Sequence, residues 1–301
     1  MDSKLKNMIT VIIPTYNNEQ TIERAIRSVV MQTYVDWELI IINDKSTDKT
    51  LDICKHYAEM YPNIRVINNE NNVGAGIARQ IGLKDAKGEF ITFLDSDDLI
   101  MADFLYQSME LQKQHDSDVV YTSYTILYPQ GIQQVIPAGD FIMEGEATPQ
   151  LHFVQEKKFL TGKVFRKSLL EKIPWSDKRV GEDVQTLFFA TYMANKVRSS
   201  SYSGYVHCFR EGSLLANAPY AMCFCGSTIA EQEIIDFLIE HNEERLWKYI
   251  LTMCWYNYNL ILQKLDEGKE ITKKEMRKHN DMWKQVQLWF KTHKEYVKQI
   301  K

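Results

Sequence analysis

The sequence predicts an α/β protein, with a mainly parallel central sheet flanked by helices and a C-terminal helical extension. Three observations predict it. Four short apolar runs, at residues 9–13, 39–42, 64–67 and 90–94, have the length of buried strands. A stretch with helical periodicity separates each run from the next, the spacing of right-handed βαβ units. From about Ser227 the pattern is helical to the end.

Composition narrows the class. The 301 residues allow one large domain or a domain with an appendage. A net charge of -4 argues against a general nucleic-acid binder. Met1 to Met8 is polar and lacks the apolar core of a signal peptide. No run reaches the roughly 20 apolar residues that span a bilayer. Five cysteines with no Cys-x-x-Cys pair fit reduced thiols, so a cytoplasmic protein is expected. Cys223-x-Cys225 is too close for the usual zinc knuckle.

The elements follow in order. The first strand stops at Pro14, and Thr15-Tyr16-Asn17-Asn18 forms a loop at its carboxyl end. A helix from about Thr21 places Ile22, Ala25, Ile26, Val29 and Val30 on one face. The second strand ends on Asn43-Asp44-Lys45-Ser46-Thr47-Asp48, where Ser46 or Thr47 is expected to cap the next helix. The third strand leads into a turn-rich loop from Asn68 to Gly76 and a short helix with Ile77, Ala78 and Ile81. The central strand then stops on Asp95-Ser96-Asp97-Asp98.

Ligands of open α/β sheets sit beyond the carboxyl ends of the strands. Packing gives no reason to crowd three carboxylates there, whereas Mn²⁺ or Mg²⁺ takes hard oxygen ligands. Asp95 and Asp97, two apart, could face one ion; the plain alternative is a loop whose Asp98 caps the following helix. Thr15, Tyr16, Asp44, Asn68, Asp95 and Asp97 all stand at strand ends along one sheet edge. That row offers an aromatic-and-acid pocket for a base beside a site for phosphates, and a nucleoside diphosphate fits it.

Five stretches carry a resemblance. Val11-Ile12-Ile13-Pro14-Thr15-Tyr16-Asn17, Gln32-Thr33-Tyr34 and Ile42-Asn43-Asp44-Lys45-Ser46-Thr47-Asp48 resemble the opening of the family 2 glycosyltransferases, which have the GT-A fold. Asn72-Val73-Gly74 with Ala78-Arg79, and then Phe93-Leu94-Asp95-Ser96-Asp97-Asp98, are similar to the rest of that signature in order and spacing. Asn43, Lys45 and Gln80 stand where family members commonly have Asp, Gly and Asn. The resemblance implies a nucleotide site of Pro14, Thr15, Tyr16, Asp44, Asn68, Gly74, Arg79, Asp95 and Ser96. Tyr16 would pack on the base, Asp44 would accept from its imide N–H, which suits uracil, and Arg79 would reach the nucleotide or its phosphates.

The second half is read more coarsely. Val119 to Leu127 and Gln133 to Ile136 form a hairpin through Gly131. Gly145 to Lys158 is polar and irregular, and Thr161 to Lys167 is a short strand running into a helix near Ser168. Gly181-Glu182-Asp183 opens a further helix and resembles the family's acidic motif on the acceptor side. There Asp183, with Glu182 in reserve, would be the general base; a plain role at a helix N-terminus is the alternative. Tyr205 to Ser213 resembles the strand and loop that closes family sites. It offers His207 to the metal or diphosphate, and Arg210 and Ser213, with Trp175, to the diphosphate or acceptor. Three C-terminal helices are expected, at residues 231–241, 245–265 and 272–300. Residues 269–301 hold ten Lys or Arg against four Asp or Glu, a net +6. Such a helix, with Met276, Trp283, Val286, Phe290 and Val297 on one face, would lie on an anionic membrane or pack on the catalytic domain or a twin subunit of a homodimer.

The expectation is a metal-dependent, inverting glycosyltransferase using Mn²⁺ or Mg²⁺. It would move a sugar from a UDP-sugar to a hydroxyl of a growing polysaccharide or lipid-linked oligosaccharide, in the cytoplasm or at the inner membrane face. Residues 1–226 would be the catalytic domain, with a nucleotide-sugar half at about 8–127 and an acceptor half at about 128–226; residues 227–301 would be the helical region. The alternative is a catalytically silent scaffold or carbohydrate-binding protein on the same fold.

Overall fold

The structure, a computed structural model, describes residues 6–131, 133–144, 159–209, 220–267, 276 and 280–300. It divides into two compact units, Met1–Asp177 with Phe189–Phe209, and Lys178–Phe188 with Arg210–Lys301. The sequence pattern puts the division at residue 226; among the described residues, 178–188 and 220–226 group with the helical unit.

In the first unit, β1 (Ile9–Thr15), α1 (Ile22–Val30), β2 (Trp37–Asn43), α2 (Thr50–Met60), β3 (Ile64–Asn68), α3 (Ala75–Asp85) and β4 (Phe90–Phe93) alternate as expected. Next come β5 (Leu99–Ile100), α4 (Phe104–His115), β6 (Val119–Leu127), β7 (Gln133–Ile136), β8 (Phe141–Glu144), β9 (Lys163–Arg166) and α5 (Lys167–Leu170). Helix α6 (Glu182–Tyr192), whose residues up to Phe188 belong to the second unit, leads to β10 (Lys196–Cys208). Among the described residues the strands form one ten-stranded sheet in the order β3-β2-β1-β4-β9-β6-β10-β5, with β7 on β6 and β8 on β10. Strands β3, β2, β1 and β4 are mutually parallel, so their carboxyl ends share one edge.

Alternation along each strand builds the core on both faces. Val11, Ile13, Leu39 and Ile41 are buried with Ile22, Ala25, Ile26 and Val29 of α1, Cys54 of α2 and Phe104, Leu105 and Met109 of α4. Ile12 points the other way, against Gly82 of α3. Each fully buried aliphatic side chain contributes about 1.5–3 kcal/mol of transfer free energy, which fixes the strand register and with it the positions of the polar strand ends.

The second unit contains α7 (Tyr220–Glu240), α8 (Glu244–Glu267), α9 (Asn280–Thr292) and α10 (Lys294–Lys298). The apolar face expected of the last helix is consumed inside this unit: Met276, Val286, Phe290 and Val297 are buried. The Phe290 ring meets Trp255 and Tyr258 of α8, and Trp289 Nε1 donates to Asp236 of α7 at 2.9 Å. Those four side chains are therefore not free to enter a membrane surface. Among the described residues no helix is long and apolar enough to cross one.

Candidate active site

The loops after β1 and β2 are joined to each other before any ligand arrives. Asn17 Oδ1 accepts from Thr47 N at 2.8 Å, and Asn17 N donates to Ser46 Oγ at 3.0 Å. Asn18 N donates to Thr50 Oγ1 at 2.8 Å, and Asn18 Nδ2 reaches Ser96 Oγ, beyond β4, at 2.5 Å. Asp48 accepts from Glu19 N and from the N–H of Thr50, the first residue of α2, whose N-cap position is Lys49. Ser46 and Thr47, expected as caps, brace the neighbouring loop instead. Pro14 does not end β1, which runs through it to Thr15. Ile12 O accepts from Leu94 N, so Pro14, two residues on, faces the side where β4 has already stopped and no N–H is needed.

Asp44 organises the next loop. It is buried, Oδ1 accepting from Val73 N at 2.9 Å and Asn69 Nδ2 at 2.9 Å, Oδ2 from Gly74 N at 2.8 Å. A carboxylate has about four lone-pair directions, so the loop uses three and one is left over. Gly74 has φ 90° and ψ 160°, a region essentially closed to side-chain-bearing residues. Asn43 donates to Asn68 Oδ1 at 2.7 Å. Tyr16 stands half-exposed at the rim, while Thr15 Oγ1 is buried with no hydrogen-bond partner in the structure.

Past β4 the carboxylates separate by role. Arg79, expected at the nucleotide, is buried and pairs with Asp95 Oδ1 at 2.9 Å. Arg24 of α1 donates to the Asp97 carbonyl at 2.5 Å. Asp95 and Asp97 are partly exposed. Asp98 is 1 % exposed and caps nothing, because α4 starts only at Phe104. It accepts from Cys208 N at 2.8 Å, from Tyr205 Oη, and faces His207 Nδ1 at 3.1 Å. That hydrogen bond raises the His207 pKa, and the charges of Asp98, Asp95 and Asp97 add to it. Burial, then the charges of Asp98 and Asp95, push the Tyr205 phenol far above its usual range.

Among the described residues no three His, Cys, Asp or Glu side chains form a self-sufficient metal cage. The donor set nevertheless fits a hard divalent cation. Mg²⁺ typically takes one or two carboxylates and completes its shell with substrate phosphates and water. Asp95 and Asp97, two partly exposed carboxylates on one turn, are ligands of that kind.

Trp175 packs edge-on to Phe93 of β4 at 6.1 Å between centroids, and its indole N–H donates to Leu170 O at 2.9 Å. Glu182 and Asp183 open α6 within the second unit. Gly181 before them has φ 83°, and a Cβ there would lie 2.4 Å from Gly226 O. The segment is thus seated backbone to backbone on the start of α7. Arg210 and Ser213 lie outside the described residues. The sequence reading missed the bracing roles of Asn17, Asn18 and Ser46, and it offered Asp98 as a helix cap where the structure makes it the partner of β10. Asp98's partners lie 107 to 110 residues away, beyond any local signal.

Residues 10–137 match the family described as Glycosyl transferase family 2. Glycosyltransferase GlyA of Streptococcus pneumoniae is 31% identical over 217 residues, 68% of this chain and 31% of that protein. The poly(ribitol-phosphate) beta-glucosyltransferase of Bacillus spizizenii is 32% identical over 220 residues, 70% of this chain and 34% of that protein. The chain therefore spans about a third of the length of these two relatives. Among solved structures, S. aureus TarS 1–349 in complex with UDP-GlcNAc superposes with a TM-score of 0.70 at 25% identity, covering 81% of this chain and 72% of that one.

Proposed function

Because the chain belongs to glycosyl transferase family 2 and has its GT-A fold, we propose that it transfers a sugar from a UDP-sugar to an acceptor hydroxyl. The acceptor is a growing envelope glycan, polymeric or lipid-linked, and transfer takes place in the cytoplasm. The observation that carries the reading is the braced row of strand ends, which puts Tyr16, the Asp44 loop and Asp95–Asp97 along one edge. The UDP-GlcNAc complex of the TarS neighbour supports a uridine donor, and the poly(ribitol-phosphate) relative supports an envelope polymer as acceptor.

In this reading Tyr16 packs on the base, and the remaining lone-pair direction of Asp44 accepts from the imide N–H. Asp97 and Asp95, with His207, hold Mn²⁺ or Mg²⁺, which when bound neutralises charge on the departing diphosphate. Asp183, or Glu182 beside it, takes the proton of the acceptor hydroxyl. The acceptor oxygen bonds to the anomeric carbon as the bond to the diphosphate breaks, with inversion. Calorimetry with UDP and CDP, joined to a donor-hydrolysis screen with Mn²⁺ or Mg²⁺, tests it. UDP is expected to bind more tightly than CDP, and one UDP-sugar to be hydrolysed. Equal affinity for the two nucleotides overturns the uridine assignment, and full hydrolysis in excess EDTA overturns the metal.

A further inference from the structure

We propose that Asp98 is a positioning residue that fixes His207 as its Nδ1–H tautomer and so leaves Nε2 as the accepting nitrogen of the ring. The inference rests on the reading that this site takes a nucleoside diphosphate and a divalent cation.

Asp98 is buried, and its backbone N–H closes a turn onto Asp95 O at 3.0 Å. Its side chain is therefore set by the same turn that carries Asp95 and Asp97. All three groups facing its carboxylate come from the end of β10: Tyr205 Oη, His207 Nδ1 and Cys208 N. An ionised carboxylate only accepts, so the nitrogen facing it is the one that bears hydrogen. A solvated neutral imidazole favours its proton on Nε2, and the Asp98 contact reverses that preference. A nitrogen lone pair at Nε2 is what a cation needs, and carboxylates that orient such rings are worth about 10–100-fold in metal affinity. Tyr205 and Cys208 already tie β10 to the turn, so the His207 contact is more than that tie requires.

Nitrogen-15 spectra of the imidazoles, recorded at alkaline pH where the ring is neutral, read the tautomer directly. Calorimetry of Mn²⁺ in the presence of UDP reads the consequence. The wild type is expected to show His207 as Nδ1–H. Asp98→Ala is expected to move it to Nε2–H and to weaken Mn²⁺ about 10–100-fold. Tyr205→Phe removes part of the tie but not the His207 contact; it is expected to lower Tm while keeping tautomer and affinity. A wild-type ring protonated at Nε2 overturns the proposal, as does an Asp98→Ala protein with unchanged tautomer and affinity. If Asp98→Ala does not fold, the wild-type tautomer with its retention in Tyr205→Phe decides the matter. If the wild type with UDP takes up no Mn²⁺, the metal reading of the site fails while the tautomer comparison still stands.

Discussion

The parallel half of the sheet and the helical unit each carry part of the candidate chemistry, and they hold it by different means. Around β1, β2 and β4 the polar loops are fastened by many side-chain hydrogen bonds, such as Asn17 to Thr47, Asn18 to Ser96 and Asp44 to residues 69–74. Each contributes about 1 kcal/mol net, so the arrangement should weaken by degrees when one is removed. In the helical unit, Glu182 and Asp183 follow a glycine whose backbone lies directly on Gly226. Side chains flank that seat, Val180 lying against Gly226 and Lys178 pairing with Glu233 of α7, but at its centre the two backbones meet and a single added methyl group runs into a carbonyl oxygen. The difference separates a graded site from an all-or-none one, and substitutions can test it.

The largest effects belong to the chemistry. Asp183→Asn is expected to lower turnover by about 10²–10⁴-fold, the usual general-base contribution, with UDP affinity unchanged. On the proposed metal reading, Asp97→Asn is expected to raise the barrier by several kcal/mol and to weaken UDP binding as well. Transfer and UDP-binding assays on the two proteins give distinguishable signatures. Full transfer by Asp183→Asn with loss in Glu182→Gln would move the base by one residue.

Gly181→Ala comes next. The positive φ costs about 1–3 kcal/mol for a non-glycine residue, and the Cβ would sit 2.4 Å from Gly226 O. A clear fall in the unfolding midpoint, with turnover reduced and UDP affinity retained, is expected. An unchanged midpoint would sink the claim that this contact seats the acidic segment.

Asp44→Asn is expected to be gentler. The amide keeps one acceptor oxygen where the carboxylate has two, so at least one donor among Val73 N, Gly74 N and Asn69 Nδ2 loses its partner. A loss of about 1–3 kcal/mol in UDP affinity follows if the loop and the base share this group. Calorimetry showing wild-type affinity would reduce Asp44 to a loop anchor.

The same contrast explains what could be read beforehand. The parallel strands were legible because each is a short apolar run with its helix beside it, and β1, β2 and β4 appear within a residue or two of the expected ends. The site residues on their ends were legible as positions but not as bonds, since Asn17 and Ser46 find each other 29 residues apart. β10 was legible only from Tyr205 onward. Its first half, Lys196-Val197-Arg198-Ser199-Ser200-Ser201, has a single apolar residue and drew no assignment, yet Ser199 is buried with Oγ donating to Gly139 O at 2.9 Å. Pairing with β6 and β8, which no local pattern records, makes this stretch a strand.

The smallest expected effect asks whether the loop brace serves the ligand or only the fold. Asn17 sits at φ 51°, and its Oδ1 accepts from Thr47 N at 2.8 Å. Two substitutions separate these properties. Asn17→Gly keeps the left-handed backbone at little steric cost and removes the hydrogen bond, a change of about 0.5–1.5 kcal/mol. Asn17→Ala removes the bond and adds about 1–2 kcal/mol for the left-handed conformation. Urea unfolding should therefore rank wild type above Gly and Gly above Ala. If the brace pre-orders the rim beside Tyr16, UDP affinity should fall in both variants by a similar small factor, because both lose the same bond. If affinity follows stability and drops only in Ala, backbone strain sets the loop and the hydrogen bond is incidental. If neither variant changes UDP affinity while both lose stability, the brace belongs to the fold alone, and the pre-ordering of this edge rests on the Asp44 loop.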